Sequence, residues 1–131
     1  MSAVKSLQSQ VGGDHYKKYA IQPLEFAEEV GLSPMVYSAF KYVCRHKDKG
    51  QGKQDLQKAL HCIDIFLECG QSKPMSIHLF RLTEFLQQFE QYHATALFEL
   101  LKLQCNKTEE QAQNCRVPIY YLMGDYLANA K

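Results

Sequence analysis

KYVCRHKDKGQGKQDLQKALHCID, residues 41–64, decides the fold. Apolar residues recur at helical spacing on both sides of a short glycine-bearing turn, so the stretch reads as two amphipathic helices joined in a hairpin. The first helix ends in a basic run, Arg45, His46, Lys47 and Lys49, and the second opens just past Gly50-Gln51-Gly52. Between Lys41 and Lys58 six Lys/Arg stand against two Asp, a local charge of +4 in a chain whose total is +1. The residues before this window sum to −1 and those after it to −2. Positive charge gathered at one hairpin favours an anionic partner, and the window is too short to track a long nucleic-acid backbone. The bland alternative is a solvated hairpin whose lysines serve solubility.

Toward the N-terminus, Pro23 suits a first helical position and Gly31 a left-handed stop, with Leu24, Ala27 and Val30 facing inward. Ser33-Pro34 repeats the start signal, and the next helix runs to about Lys47 with Val36, Phe40 and Val43 on its buried stripe. Its other stripe is Ser38, Lys41, Tyr42 and Arg45. Lys41 and Arg45 lie one turn apart on one face, where like charges call for a counter-anion. Ahead of these helices, residues 1–20 read as an arm in which His15 and Tyr16 are candidates to close over a ligand.

In the turn, residues 48–53, the glycines permit positive φ, and Lys53 or Gln54 opens the following helix. Backbone N–H groups at such a helix start, flanked by lysines, form an anion site. That helix turns Leu56, Leu60, Ile63 and Leu67 inward. Lys58, His61 and Asp64 follow at intervals of three, so that His61 and Asp64 could form an oriented imidazole–carboxylate pair. Further on, a helix is expected over about Met75–Tyr92, with Leu79, Leu82, Leu86 and Phe89 as its stripe. The segment Ala94–Leu103 is apolar on almost every face and is either central core or an oligomer interface. Thr108–Gln111 matches a capping box, and a last helix starts near Pro118. No strand-length alternation occurs. The expectation is an all-α chain, one domain over residues 21–131 with five to six helices built on the central hairpin.

A chain of 131 residues, 46% of them hydrophobic, has the core of a single domain. No run of about 18 apolar residues is present to span a membrane, and the first residues lack the apolar stretch of a signal peptide. Five cysteines without a C-x-x-C pair then read as reduced thiols of a cytoplasmic protein. Cys62, Cys69 and His61 could share a helix face, but buried thiols are far commoner than metal ligands, and no metal site is expected. No Walker loop, G-x-x-x-x-G-K-[ST], occurs.

Four segments in order, Gly12-Gly13-Asp14-His15-Tyr16, Ile21-Gln22-Pro23-Leu24-Glu25-Phe26, Lys41-Tyr42-Val43-x-Arg45-His46 and Asp55-Leu56-x-Lys58-Ala59-x-His61-x-x-Asp64, resemble a family of short phage proteins. That family carries a domain of unknown function and is regarded as containing nucleotide kinases. The resemblance covers about residues 12–68. It departs at Tyr37-Ser38, where the family has Gly-Asn, and at Cys62, where it has an aromatic. It implies a nucleotide as the anionic ligand and a (deoxy)nucleoside monophosphate kinase without a P-loop, with ATP as phosphate donor, Mg²⁺ beside it, and the host cytoplasm as its place. Lys41, Arg45 and Lys58 would then neutralise phosphate, with Lys49 among the binding residues, His46 or His61 would donate to it, and Tyr16 or Tyr42 would stack on the base. Asp55, His61 and Asp64 would be the catalytic candidates.

Three other functions compete. A non-catalytic sponge for nucleotides, including cyclic immune signals, needs the same pocket and no reactive pair. A pyrophosphohydrolase resembling the MazG group would need clustered acids, which Glu28-Glu29 followed by Val30-Gly31-Leu32 does not supply. A pure interaction module would dock through residues 94–103. With seven apolar residues in ten there, a homo-oligomer is expected.

Overall fold

Proline at the first helical position, where no amide hydrogen is needed, starts two helices in succession. These are α1 (Pro23–Val30) and α2 (Pro34–Arg45). Gly31 between them takes φ +80° and returns its N–H to Ala27 O at 2.9 Å, the expected left-handed stop. The computed structural model describes residues 19–48 and 50–128, and every regular element there is helical. α3 (Gly52–Cys69), α4 (Leu79–Leu86), α5 (Gln91–Cys105) and α6 (Glu109–Ala128) complete the set. The chain is all-α, with six helices among the described residues.

Two helical hairpins face each other, α2 resting on α5 and α3 on α6. Leu56 and Ile63 of α3, Leu97, Leu100 and Leu101 of α5, and Ile119 and Leu122 of α6 are buried between them. Each such side chain contributes roughly 1.5–3 kcal/mol on leaving water. At one side Phe26, Phe40 and Phe85 form a ring stack, with Phe85 centred 4.3 Å from Phe26 and 5.4 Å from Phe40. Gln104, fully buried, ties the α1–α2 turn to α5. Its Oε1 accepts from Ser33 N at 3.1 Å and its Nε2 donates to Gly31 O at 3.3 Å.

The structure departs from the sequence expectations in five places. In α1, Leu24 is exposed and Phe26 is the core residue. In the turn, Gly50 alone takes a positive φ, +69°, whereas Gly52 is helical and α3 begins there rather than at Lys53 or Gln54. The expected helix over Met75–Tyr92 is broken. Residues 71–78 are not helical, α4 is short, and α5 starts only at Gln91. At the end of α4 the backbone tightens, with Gln88 N bonding Phe85 O at 3.3 Å and Phe89 N bonding Leu86 O at 3.1 Å, and the Gln88 amide bonds Ile21 N (2.9 Å) and Ile21 O (3.1 Å). In α4 the anchor is Phe85, while Leu79 is exposed. The last helix begins at Glu109, about two and a half turns before Pro118, which lies inside it. Thr108 Oγ1 accepts from Gln111 N at 3.1 Å, the capping contact the sequence signalled.

Of the two alternatives for residues 94–103, central core is the one found. Ala96, Leu97, Leu100, Leu101 and Leu103 are covered within the single chain, and Phe98, 39% exposed, is the partial exception. Excess apolar surface on that segment therefore does not argue for an oligomer. Among the described residues, no helix is long and apolar enough to cross a membrane.

Candidate functional site

α2 and α3 run alongside each other with Tyr42 between their polar faces. Arg45 follows Tyr42 by three positions along α2 and Lys41, one turn before Arg45, immediately precedes it, while the partner helix brings Lys58. Lys41 Nζ lies 4.8 Å from the Tyr42 ring centroid, Arg45 Cζ 4.8 Å and Lys58 Nζ 5.5 Å. Three cations thus share one aromatic ring, each attracted by its electron-rich faces with about 0.5–1 kcal/mol. Beneath them Asp55, in the first turn of α3 and fully buried, accepts from Arg45 Nη2 at 3.4 Å through Oδ1. Its other oxygen, Oδ2, is buried without a hydrogen-bond partner. The positive start of α3 favours a carboxylate at this position. Lys41 also reaches toward Cys62: burial pushes that thiol up, and the Lys41 ammonium pulls it partly back.

The other candidates do not join this cluster. Asp64 is held by Arg116 of α6, Oδ1 to Nη2 at 3.1 Å, and Arg116 also donates to Glu109 at 2.6 Å. The expected His61–Asp64 pair is therefore replaced by a bridge between α3 and α6, and His61 stands exposed without that partner. Lys47 crosses to Glu90, the N-cap of α5. Lys49, His15 and Tyr16 lie outside the described residues.

His46 is the largest correction. Only 2% exposed, it caps α2 with its ring edge-on to His93 (centroids 4.6 Å) and to Tyr126 (5.6 Å). The Tyr126 hydroxyl donates to His46 O at 2.9 Å and lies 2.6 Å from His46 Nδ1. A hydroxyl has one hydrogen, so Nδ1 carries the ring proton and donates back, leaving Nε2 an acceptor, buried and unpartnered. Burial first, then His93 and Lys47, lowers its pKa to about 3. A neutral, enclosed imidazole does not serve a phosphate as a cation. His93 is likewise held down, to about 4, mainly by burial, with Nε2 against Val43 O at 2.5 Å.

Gly52 belongs to the same cluster. A Cβ there would fall 2.2 Å from Tyr126 Cζ and Oη and 2.4 Å from His46 O. The second glycine of G-x-G is thus needed for close approach of α6, and the start of α3, expected as an anion site, carries the ring of Tyr126. Tyr126 and His93 were invisible to sequence reasoning about the hairpin, because they come from far along the chain. The G-x-G itself was their one local trace. Tyr19, a tyrosine ahead of α1, is buried and pins the chain there to the end of α2, its hydroxyl lying 3.1 Å from Cys44 O and 3.0 Å from Asp48 Oδ2.

A cleft of about 490 Å³ is lined by Tyr19, Cys44, Lys47, Gln88, Glu90 and His93. Its lining includes none of Tyr42, Arg45 and Lys58. Among the described residues, no group of three or more His, Cys, Asp or Glu could hold a metal ion.

No curated protein and no solved structure is matched by the chain. Residues 11–64 match the model of a family described as a protein of unknown function (DUF3310), a stretch that contains Lys41, Tyr42, Arg45, Asp55 and Lys58 and stops short of His93, Arg116 and Tyr126.

Proposed function

We propose that the chain binds a nucleotide through its phosphate at the cluster around Tyr42. The observation that carries this reading is the convergence of Lys41, Arg45 and Lys58, from two helices, on one ring. Cations held this close to one another are favoured by an added anion, and a phosphate oxygen accepts charge-assisted bonds from guanidinium and ammonium alike. With three cations over its ring, Tyr42 acts as their support rather than as a platform for a base.

Asp55 favours a second reading, phosphoryl transfer. Its unpartnered Oδ2, buried beside Arg45, is the kind of polar atom that persists where it has work to do. It is the acid of this cluster that could orient an attacking oxygen, and Mg²⁺ would have to arrive on the nucleotide's own phosphates. Sequestration needs the cations alone.

Lys58, exposed and outside the Arg45–Asp55 pair, is the clean probe. Lys58→Ala should weaken nucleotide binding by about 1.5–3 kcal/mol, measured by calorimetry, while the free protein loses no more than the about 0.5–1 kcal/mol of the contact with the Tyr42 ring. The assay begins with thermal shift against mono-, di-, tri- and cyclic nucleotides, where a ligand at one hundred times its dissociation constant adds about 2.7 kcal/mol. If no nucleotide raises the melting temperature, the proposal fails. Binding in wild type without any phosphorylated product assigns sequestration, and turnover lost in Asp55→Asn with binding kept assigns transfer.

A further inference from the structure

α6 has two apolar faces. Ala112, Cys115, Ile119 and Leu122 face the core. On the opposite side Val117, Tyr120, Tyr121, Gly124 and Leu127 recur at spacings of three and four, the spacing of a helix-packing seam. These residues are open: Val117 58%, Tyr120 53%, Tyr121 55% and Leu127 54% exposed. Tyr92 of α5, 44% exposed, widens the strip by stacking on Tyr121 with centroids 4.0 Å apart. Nothing lies within 4 Å of the position a Gly124 side chain would take, so the crest of the helix has a notch at that point.

We infer that this face is where two copies of the chain associate, α6 against α6. A half-exposed aromatic leaves on the order of 100 Å² open, and the strip as a whole presents roughly 500 Å² of apolar surface. That is near the upper end for the largest patch on a monomer. It is also the greater part of the about 800 Å² per partner that a standard interface buries, with a polar rim supplying the remainder. The five seam positions carry no charge. Of the charged side chains at their flanks, Arg116 turns away to Asp64 and Glu109, and Asp125 stands exposed beside Tyr121, at the rim of the strip. An uncharged strip selects an equally uncharged partner over an acidic peptide or a nucleic acid, and a net charge of +1 leaves little repulsion between copies. The seam is also complementary to itself. A two-fold axis beside Tyr120 and Tyr121 sets Val117 of one copy opposite the Gly124 notch of the other, with the helices antiparallel and their dipoles opposed.

Sedimentation equilibrium of the full chain tests this. Wild type should show a mass doubling toward concentrations on the order of 100 μM, the range of a small interface. Val117→Lys should remain monomeric with unchanged circular dichroism. Gly124→Lys should do the same and is the safer variant, because its site is open in the monomer and lysine suits the end of a helix better than glycine. Wild type that remains monomeric overturns the inference and gives the face to another occupant. Wild type that dimerises while both variants dimerise equally well also overturns it, since association then uses another surface.

Discussion

Arg45 was attractive as a ligand-binding cation, but its position over Asp55 makes it structural as well. Replacing it with methionine keeps most of the buried stem and removes the charge. Asp55 is fully buried and its Oδ2 already lacks a partner, so the variant leaves a carboxylate with neither oxygen bonded by Arg45. Breaking a fully buried ion pair costs about 3–5 kcal/mol. Two features reduce that here: Arg45 is 15% exposed and its contact is long, 3.4 Å. The α3 N-terminus also favours the carboxylate by a few tenths to about 1 kcal/mol. About 2–3 kcal/mol remains, or roughly 7–11 °C in melting temperature for a domain of this length. Urea denaturation of Arg45→Met at neutral pH measures it. The double variant Arg45→Met/Asp55→Leu, which removes both charges, should regain most of the loss. Single and double variants both within about 0.5 kcal/mol of wild type would refute the reasoning, and with it the view that loss of binding in an Arg45 variant is entangled with folding.

Two further perturbations follow from the His46–Tyr126–Gly52 cluster. Gly52→Ala should destabilise by about 1–3 kcal/mol, since its Cβ meets Tyr126 and a backbone oxygen, whereas Gly124→Ala, in open space, should stabilise by about 0.5–1 kcal/mol; denaturant midpoints showing the same sign for both would contradict the packing. His46 and His93 have folded pKa values lowered to about 3 and about 4, below the ordinary 6.5. The unfolded chain therefore binds protons that the folded chain refuses. Stability should be full above about pH 6.5 and fall as pH drops toward 4, by at most about 3 kcal/mol per pH unit for the two groups together. His46→Gln should flatten that slope in acid titrations followed by circular dichroism, and an unchanged slope would show that other groups control it.

Local signals were enough for much of this chain. Pro23, Gly31, Pro34 and Thr108 act on the backbone within four residues of themselves, through a missing amide hydrogen, a left-handed φ or a capping hydroxyl, so the ends they mark are legible from the sequence. The stripe Val36-Phe40-Val43 and the opposed Lys41, Tyr42 and Arg45 are likewise set by the helical period, and Lys58 follows once the two helices are seen as a hairpin. What the sequence did not show depends on residues distant along the chain meeting in space. Asp64 reads as the neighbour of His61 until Arg116, 52 positions on, arrives with α6. His46 reads as an exposed cation until His93 and Tyr126 enclose it and desolvation makes it neutral. The helix expected over Met75–Tyr92 has a sound apolar period, and it is broken where the Gln88 amide bonds Ile21, 67 positions away, a contact that no local signal announces. Periodicity reports which way a side chain faces. Which partner stands there, and so whether a charge is free, paired or extinguished, is settled by packing.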